Sequence, residues 1–142
     1  MDAAVDVNRP PEEVFDYCSD HRHEPEWNQM MRRSEKMTEG PIGVGTRYAA
    51  EFVKAPPMVM ECIRFERPST WEVDGTSAWM TARGSFQIES APGGAYLTMH
   101  MELELRGPLK LAGPLLRHRM QPMLEQDLRN VKARLEASVS SG

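Results

Sequence analysis

The stretch AYLTMHMELELR, residues 95–106, alternates between apolar and polar side chains along its whole length. Its odd-numbered positions hold only Ala, Leu and Met, while its even-numbered positions hold Tyr, Thr, His, Glu and Arg. Because successive side chains of a β-strand point to opposite faces, the pattern predicts a long strand with one apolar face, and it puts His100 on the polar face. The sheet that contains this strand must therefore bury one of its faces.

The sequence after this strand changes to a helical period. Leu124, Leu128, Val131 and Leu135 recur at spacings of four, three and four residues, which predicts an amphipathic helix over about 114–137. We expect most of its charged residues, a set that includes Asp127, on the side that faces water. This helix is the only predicted element long enough to cover the apolar face of the sheet.

Upstream of residue 95, extended segments alternate with short turn sequences rich in Gly, Pro, Asp and Ser, which is typical of an antiparallel meander. We also predict a short helix at 11–18 and a helical turn at 24–29. The predicted strands are 3–7, 31–37, 45–54, 58–67, 70–75, 78–89 and 95–106. The sequence therefore predicts an α+β fold, a seven-stranded antiparallel sheet with a long C-terminal helix, and a single domain over residues 1–142.

Two details of these strands stay open. In 58–67, an apolar set of Val59, Ile63 and Phe65 competes with a second set of Met58, Met60 and Cys62 on the opposite phase. Trp79 is out of phase with its apolar neighbours, so it is either exposed near a loop or placed at a bulge.

Composition narrows the function classes. Lys and Arg number 17 against 21 Asp and Glu, a net charge of −4, so no overall field draws the protein to nucleic acid or to an anionic membrane. Two Cys without a C-x-x-C pattern indicate a reduced compartment. No leader pattern opens the sequence, and no run approaches the roughly 18 apolar residues of a membrane span. We expect a cytoplasmic protein, a monomer or a homodimer, that has no membrane span and no nucleic-acid partner.

The run SDHRHEPEWN, residues 19–28, raises the question of a metal site, because His and Glu side chains are common metal ligands. Its spacing argues against one. An H-x-H pair shares a metal on a strand, whereas this segment contains Pro25, and helical sites need ligands four residues apart. We predict a solvated loop with no metal ligand, followed by Trp27.

The order of elements, together with VDVNRPPEEVFDYCSDHRHEPEWN at 5–28, GPIGVGTRY at 40–48 and ECIRFERPSTWEV at 61–73, resembles the START-like (SRPBCC) superfamily. It is most similar to the polyketide cyclase/dehydrase branch. This resemblance implies a helix-grip fold, in which a curved sheet wraps the C-terminal helix and leaves an apolar cavity between them. Members include aromatase/cyclases and quinone- or lipid-binding proteins. The resemblance also implies that Trp27 lies beside the cavity mouth; the alternative is that it closes the edge of the core.

Two residues are candidates for catalysis. Arg64 matches the position of a cavity Arg in some cyclases that the sequence resembles, and its guanidinium could hold a carbonyl oxygen; the alternative is that Arg64 faces solvent. Tyr48 lies on the inward phase of its strand, where its hydroxyl could donate to a ligand carbonyl or to a backbone group. Arg47 and Arg83 fall on the outward phase.

The predicted ligand-binding side chains are apolar and rich in Met, whose flexible thioether can adapt to several guests; ordinary core filling is the alternative. They are Trp27, Phe52, Met60, Met80, Phe86, Met99, Met101, Met120 and Leu124.

The sequence and its resemblance together predict a protein that binds an apolar or aromatic small molecule between sheet and helix, without a cofactor. The enzyme form would be a polyketide cyclase/aromatase or dehydratase. The non-catalytic form would be a lipid, quinone or isoprenoid carrier. A third alternative is an interaction module that uses the basic surface at 106–119, where Arg106, Lys110, Arg117, His118 and Arg119 are interrupted by no acid.

Overall fold

A computed structural model describes residues 1–140 of the protein. The elements are β1 (Asp2–Val7), α1 (Pro11–Cys18), a first 3₁₀ helix (His21–Glu26), β2 (Met31–Lys36), β3 (Arg47–Phe52), β4 (Ala55–Glu66), β5 (Thr70–Ser77), β6 (Met80–Ala91), β7 (Gly94–Leu105), a second 3₁₀ helix (Gly107–Ala112) and α2 (Gly113–Ser140). The predicted strands are confirmed with small shifts of their ends. The predicted helical turn at 24–29 begins three residues earlier, and the second 3₁₀ helix was not predicted.

The seven strands form one antiparallel sheet in the order β1-β7-β6-β5-β4-β3-β2. Both edges of this sheet, at β1 and at β2, lie close to α2. On the β1 side, Gln121 donates its side-chain N–H to the carbonyl oxygen of Asp2 over 2.6 Å. On the β2 side, Asn130 donates to the carbonyl oxygen of Trp27 over 3.0 Å. The sheet therefore curls around the helix, which confirms the predicted helix-grip fold.

The apolar stripe of α2 forms the centre of the core. Leu124, Leu128, Val131 and Leu135 are all buried, as their spacing predicts. The helix α1 contributes Phe15, whose ring meets the ring of Trp71 edge to face at 5.1 Å. These contacts join both helices to the inner face of the sheet.

A β-bulge in β4 explains why its sequence has two competing apolar sets. The pairing of β4 with β5 shifts between Cys62 and Arg64, so one extra residue is inserted there. Met60 and Cys62 are buried before the bulge, and after it Phe65 packs against the core, with its ring 5.1 Å from that of Phe15. Each set therefore faces inward over one part of the strand.

Candidate functional site

The interface between α2 and the sheet is buried at one end and partly exposed to solvent at the other. From Leu124 to Leu135 the large apolar side chains of α2 are buried, whereas in its first three turns Leu115 is exposed and Leu116 is half-buried. Other apolar side chains of this end, on α2 and on the inner face of the sheet, are also half-buried; they are Met58, Met80, Ala82, Met101, Leu103, Met120 and Met123. A guest molecule could reach the inner face of the sheet from this end.

A groove of about 230 Å³ marks the opening on the β7 side. Leu103 and Leu105 of β7 and Leu116 of α2 supply its apolar wall. Lys110 and Arg117 supply cationic side chains, and Glu104 supplies a carboxylate. The second 3₁₀ helix therefore borders the opening.

Tyr48 lies deeper on the inner face, next to Met60 in the β3–β4 ladder. It is fully buried, which agrees with its predicted inward phase, but its hydroxyl has no hydrogen-bond partner. Burial raises the pKa of the phenol to about 12, against a smaller opposing effect of the His21 backbone amide, whose geometry falls short of a hydrogen bond. Tyr48 is thus a neutral phenol at physiological pH.

Two further buried side-chain atoms, like the hydroxyl of Tyr48, have no hydrogen-bond partner. The indole Nε1 of Trp27 and the hydroxyl of Ser34 also lack a partner, and with Tyr48 they are the unpaired buried side-chain polar atoms found in residues 1–137. Trp27 directly precedes the start of β2, Ser34 is on β2 opposite Ala50, and Tyr48 is on β3. All three therefore lie at or next to the neighbouring strands β2 and β3. Sequence patterns could not reveal these unpaired atoms, because such patterns do not show hydrogen bonding.

His21 lies beside Tyr48, and both of its ring nitrogens are hydrogen-bonded. The indole N–H of Trp71 donates to Nε2 over 3.1 Å. Because Nε2 accepts, the ring proton is on Nδ1, which donates to Glu24 across 2.8 Å. The other oxygen of Glu24 accepts from the side chain of Asn28 at 2.7 Å. A histidine bonded in this way supports the structure and has no free nitrogen for a substrate.

The prediction of a solvated loop at 19–28 is therefore wrong for its central residues. Asp20, His21 and Glu24 are buried, and Trp27 is only 3% exposed within the core. The physical reason is the 3₁₀ helix, which brings side chains three residues apart onto one face and so pairs His21 with Glu24. The H-x-x-E spacing was the signal for this pair.

Asp127 is a buried carboxyl on α2, which contradicts its expected place on the wet side. It falls three residues after Leu124 and four before Val131, so it shares their inward face. Burial raises its pKa to about 6; two long hydrogen bonds of 3.4 Å from the backbone and side chain of Gln29 oppose the rise, and the charge of Glu24 adds to it. Asp127 can therefore hold or release a proton close to neutral pH.

Arg64 faces outward, which is the alternative left open for it, so its candidate role beside Tyr48 on the inner face is wrong. The bulge after Cys62 turns it to the solvent face, where its side chain is half exposed. There its guanidinium pairs with Glu66, and Nη1 lies 3.6 Å from a carboxylate oxygen of Glu72. Arg64 belongs to a shallow polar concavity of about 580 Å³ on the outer face, together with His100 and Ser85.

The remaining residues named in the sequence analysis differ in their exposure to solvent. Arg47 and Arg83 are outward, as predicted, and Trp79 is exposed in the β5–β6 turn. Of the predicted ligand-binding set, five are buried: Trp27, Met60, Phe86, Met99 and Leu124. Four are half-buried, namely Phe52, Met80, Met101 and Met120. Phe86 is stacked on Trp71 with ring centroids 4.5 Å apart and so belongs to the packed part of the core.

The described part of the chain has neither a cluster of metal-ligand side chains nor a membrane-spanning helix. Residues 1–137, whose side chains the structure describes, contain no group of three or more His, Cys, Asp or Glu side chains arranged to hold a metal ion. None of the helices in this part of the chain is long and apolar enough to cross a membrane.

Comparison with known proteins agrees with this architecture. The family model described as polyketide cyclase / dehydrase and lipid transport matches residues 1–136. An uncharacterized protein of Mycobacterium tuberculosis is 25% identical over 143 residues, covering 94% of this chain and 82% of that protein. A START superfamily protein from Mycobacterium smegmatis superposes with a TM-score of 0.78 at 14% identity, over 96% of this chain and 97% of that one. The protein TTHA0849 from Thermus thermophilus also gives 0.78, at 17% identity over 97% of each chain. The chain thus belongs to the polyketide cyclase / dehydrase and lipid transport family and has the START-like helix-grip fold.

Proposed function

We propose that the protein binds an apolar small molecule that carries at least one oxygen acceptor, such as an aromatic ketone or a quinone, between the inner face of the sheet and α2. The observation that carries this proposal is the unpaired, fully buried hydroxyl of Tyr48. Buried polar groups almost always have a hydrogen-bond partner, and leaving one unpaired costs about 1–3 kcal/mol. A ligand oxygen would supply the missing partner.

The neighbouring side chains favour an apolar body for this ligand. Indole N–H is a donor only, so Trp27 requires an acceptor, while the hydroxyls of Ser34 and Tyr48 can donate or accept. Met58, Met80, Met101 and Met120 are half-buried around the open end of the interface, and flexible thioether chains adapt to guests of different shape. An apolar wall with a few oriented polar groups is the usual composition of a small-molecule site.

A pair of matched probes tests the proposal. Acetylnaphthalene and ethylnaphthalene are similar in size, but only the first carries a carbonyl oxygen. We expect saturable binding of both, with tighter binding of acetylnaphthalene, by isothermal titration or by displacement of a fluorescent apolar dye. Absence of saturable binding of either probe would contradict the proposal. Native mass spectrometry of protein purified from its own host would identify a co-purified ligand.

A second candidate is catalysis of an aldol-type cyclisation or a dehydration on such a ligand. One observation favours it: Asp127 is buried and has a pKa of about 6, so it could take or return a proton near neutral pH. Tyr48, with a pKa of about 12, would remain protonated and could donate to a developing enolate. A carrier needs neither property.

Exchange of the acidic C–H protons of a bound β-diketone, followed by NMR in deuterated water, separates the enzyme from the carrier. The enzyme predicts exchange faster than in buffer and a loss of most of the acceleration in Asp127→Asn. Glu125→Gln, on the exposed side of α2, is the matched control. An unaccelerated exchange rate, with the diketone bound, would leave the carrier as the function.

A further inference from the structure

We infer that the second 3₁₀ helix and the first two turns of α2, residues 106–119, dock on the surface of an anionic lipid bilayer. We call this segment the docking surface. The inference goes beyond the proposed function and does not depend on it, since a protein with this surface would bind vesicles whether or not its interior holds a ligand.

The first observation is the exposure of apolar side chains along the docking surface. No residue of the second 3₁₀ helix is buried, although its sequence GPLKLA is mostly apolar. Leu111 is 90% exposed and Leu115 is 58% exposed, and Leu109 is also exposed. Three leucines are thus exposed within the seven residues 109–115, and exposed apolar patches mark interaction sites.

The exposed indole of Trp79 borders the same surface. The carbonyl oxygen of Trp79 accepts the backbone N–H of Arg106 over 2.8 Å, and the carbonyl of Arg106 in turn accepts from the backbone of Leu109. Trp79 is 44% exposed. Tryptophan is enriched at the boundary between lipid headgroups and acyl chains, where one part of its ring is apolar and its N–H is in a polar layer.

The second observation is the positive charge of the docking surface. Residues 105–124 contain Arg106, Lys110, Arg117 and Arg119 and no Asp or Glu, in a chain whose net charge is −4. All four cations are exposed. Clustered cations near a membrane each contribute attraction to anionic headgroups, and this attraction weakens with salt. The remainder of the protein is acidic, and the exposed leucines of residues 1–137 all lie in the docking surface beside these cations.

The combination of cations with exposed leucines favours a lipid bilayer over the other possible binding partners. Cations alone would also suit an acidic protein, and leucines alone would suit a second copy of the chain. Protruding leucines interleaved with cations, and with Trp at the border, fit a partner that has anionic charge at its surface and apolar chains directly beneath it. The surface also borders the groove between β7 and α2, so docking would bring the opening of the interior toward the lipid.

Co-sedimentation with vesicles tests the inference on the 142-residue chain. We expect binding to vesicles of phosphatidylcholine mixed with phosphatidylglycerol, weakened by salt, and little binding to phosphatidylcholine alone. The double variant Leu111→Ser/Leu115→Ser should weaken binding by about tenfold or more, because two leucine side chains would no longer enter the lipid. Arg117→Gln/Arg119→Gln should weaken it as well.

The matched control is Met37→Ser/Val44→Ser, which removes two apolar side chains that are also exposed, by 55% and 69%, but lie in the β2–β3 connection. It should bind vesicles like the wild type, and melting curves check that each variant is folded. The inference is overturned if the wild type does not bind anionic vesicles, or if the control loses as much binding as the leucine variant. It is also overturned if the leucine variant instead converts a dimer into a monomer in analytical ultracentrifugation, or abolishes binding to an acidic protein while leaving vesicle binding intact.

Discussion

The rings of Tyr48 and His21 meet edge to face with centroids 5.5 Å apart, yet only His21 has its polar atoms bonded. His21 is held by Trp71 on one nitrogen and by Glu24 on the other, while the hydroxyl of Tyr48 has no partner. The two residues are equally well buried. We interpret His21 as a structural residue and Tyr48 as the residue whose hydroxyl would hydrogen-bond to a ligand oxygen. We therefore expect opposite effects of their substitutions on stability and on ligand binding.

Replacing His21 by Ala should destabilise the fold by about 2–4 kcal/mol, because it leaves Trp71 and Glu24 with unpaired buried atoms and opens a cavity. Urea unfolding measures this free energy. His118→Ala is the control, since His118 is exposed on α2, and it should change stability by less than about 0.5 kcal/mol. A His21→Ala protein as stable as wild type would mean that the Trp71–His21–Glu24 connection contributes nothing.

Replacing Leu128 by Ala should destabilise the protein by about 2–5 kcal/mol, as truncation of a fully buried leucine does. Leu115→Ala on the same helix is the matched control, and its effect should be within about 0.5 kcal/mol because Leu115 is exposed. Equal effects of the two substitutions on the free energy of unfolding would show that α2 does not cover the sheet with the assigned face.

Asp127 should make stability depend on pH. Its folded-state pKa of about 6 lies above the ordinary value of 3.8, so the folded protein favours the protonated carboxyl. The contribution to stability is therefore fully present below about pH 4 and is lost as the pH rises through about 6. We expect Asp127→Asn to gain about 1–3 kcal/mol relative to wild type between pH 4 and pH 8.

Urea unfolding at both pH values measures this difference for Asp127. Glu125→Gln, an exposed acid on the same helix, should show a much smaller change relative to wild type. A constant difference in stability between Asp127→Asn and wild type over this pH range would show that the carboxyl titrates as it does in water.

Arg64→Met should not change the affinity for an oxygen-bearing apolar probe, because the guanidinium lies on the outer face beside Glu66 and Glu72. Titration with acetylnaphthalene compares the variant with wild type. A loss of affinity of tenfold or more, in a variant that melts like wild type, would mean that Arg64 reaches the ligand and that our assignment of its face is incorrect.

The fold could be predicted from the sequence to a large extent because its signals are local and periodic. The alternation at 95–106 and the spacing of Leu124, Leu128, Val131 and Leu135 depend only on which face of an element is buried. The resemblance to the START-like superfamily then supplied the way in which sheet and helix combine. These two sources led to the same architecture that the structure has.

The candidate site was harder to predict because its geometry depends on irregularities. One inserted residue in β4 reverses the face of every later side chain, so the strand pattern left the face of Arg64 open, and the structure places it outside. Polar residues were assigned to solvent by their type, although pairing within a 3₁₀ helix allows His21 and Glu24 to be buried. The missing partner of Tyr48 is a property of the folded interior, and no pattern in the sequence carries it.

The central claim is that the hydroxyl of Tyr48 meets an oxygen atom of the ligand, and Tyr48→Phe tests it most directly. Removing an unpaired hydroxyl should leave the melting temperature unchanged or raise it slightly. The same variant should bind acetylnaphthalene more weakly by about 0.5–1.5 kcal/mol, the scale of a neutral hydrogen bond, and should bind ethylnaphthalene as well as wild type does. Tyr96→Phe, on the exposed face of β7, is the control and should change neither affinity. The account predicts a selective loss for the ketone in Tyr48→Phe alone, and equal affinity of wild type and Tyr48→Phe for acetylnaphthalene would contradict it.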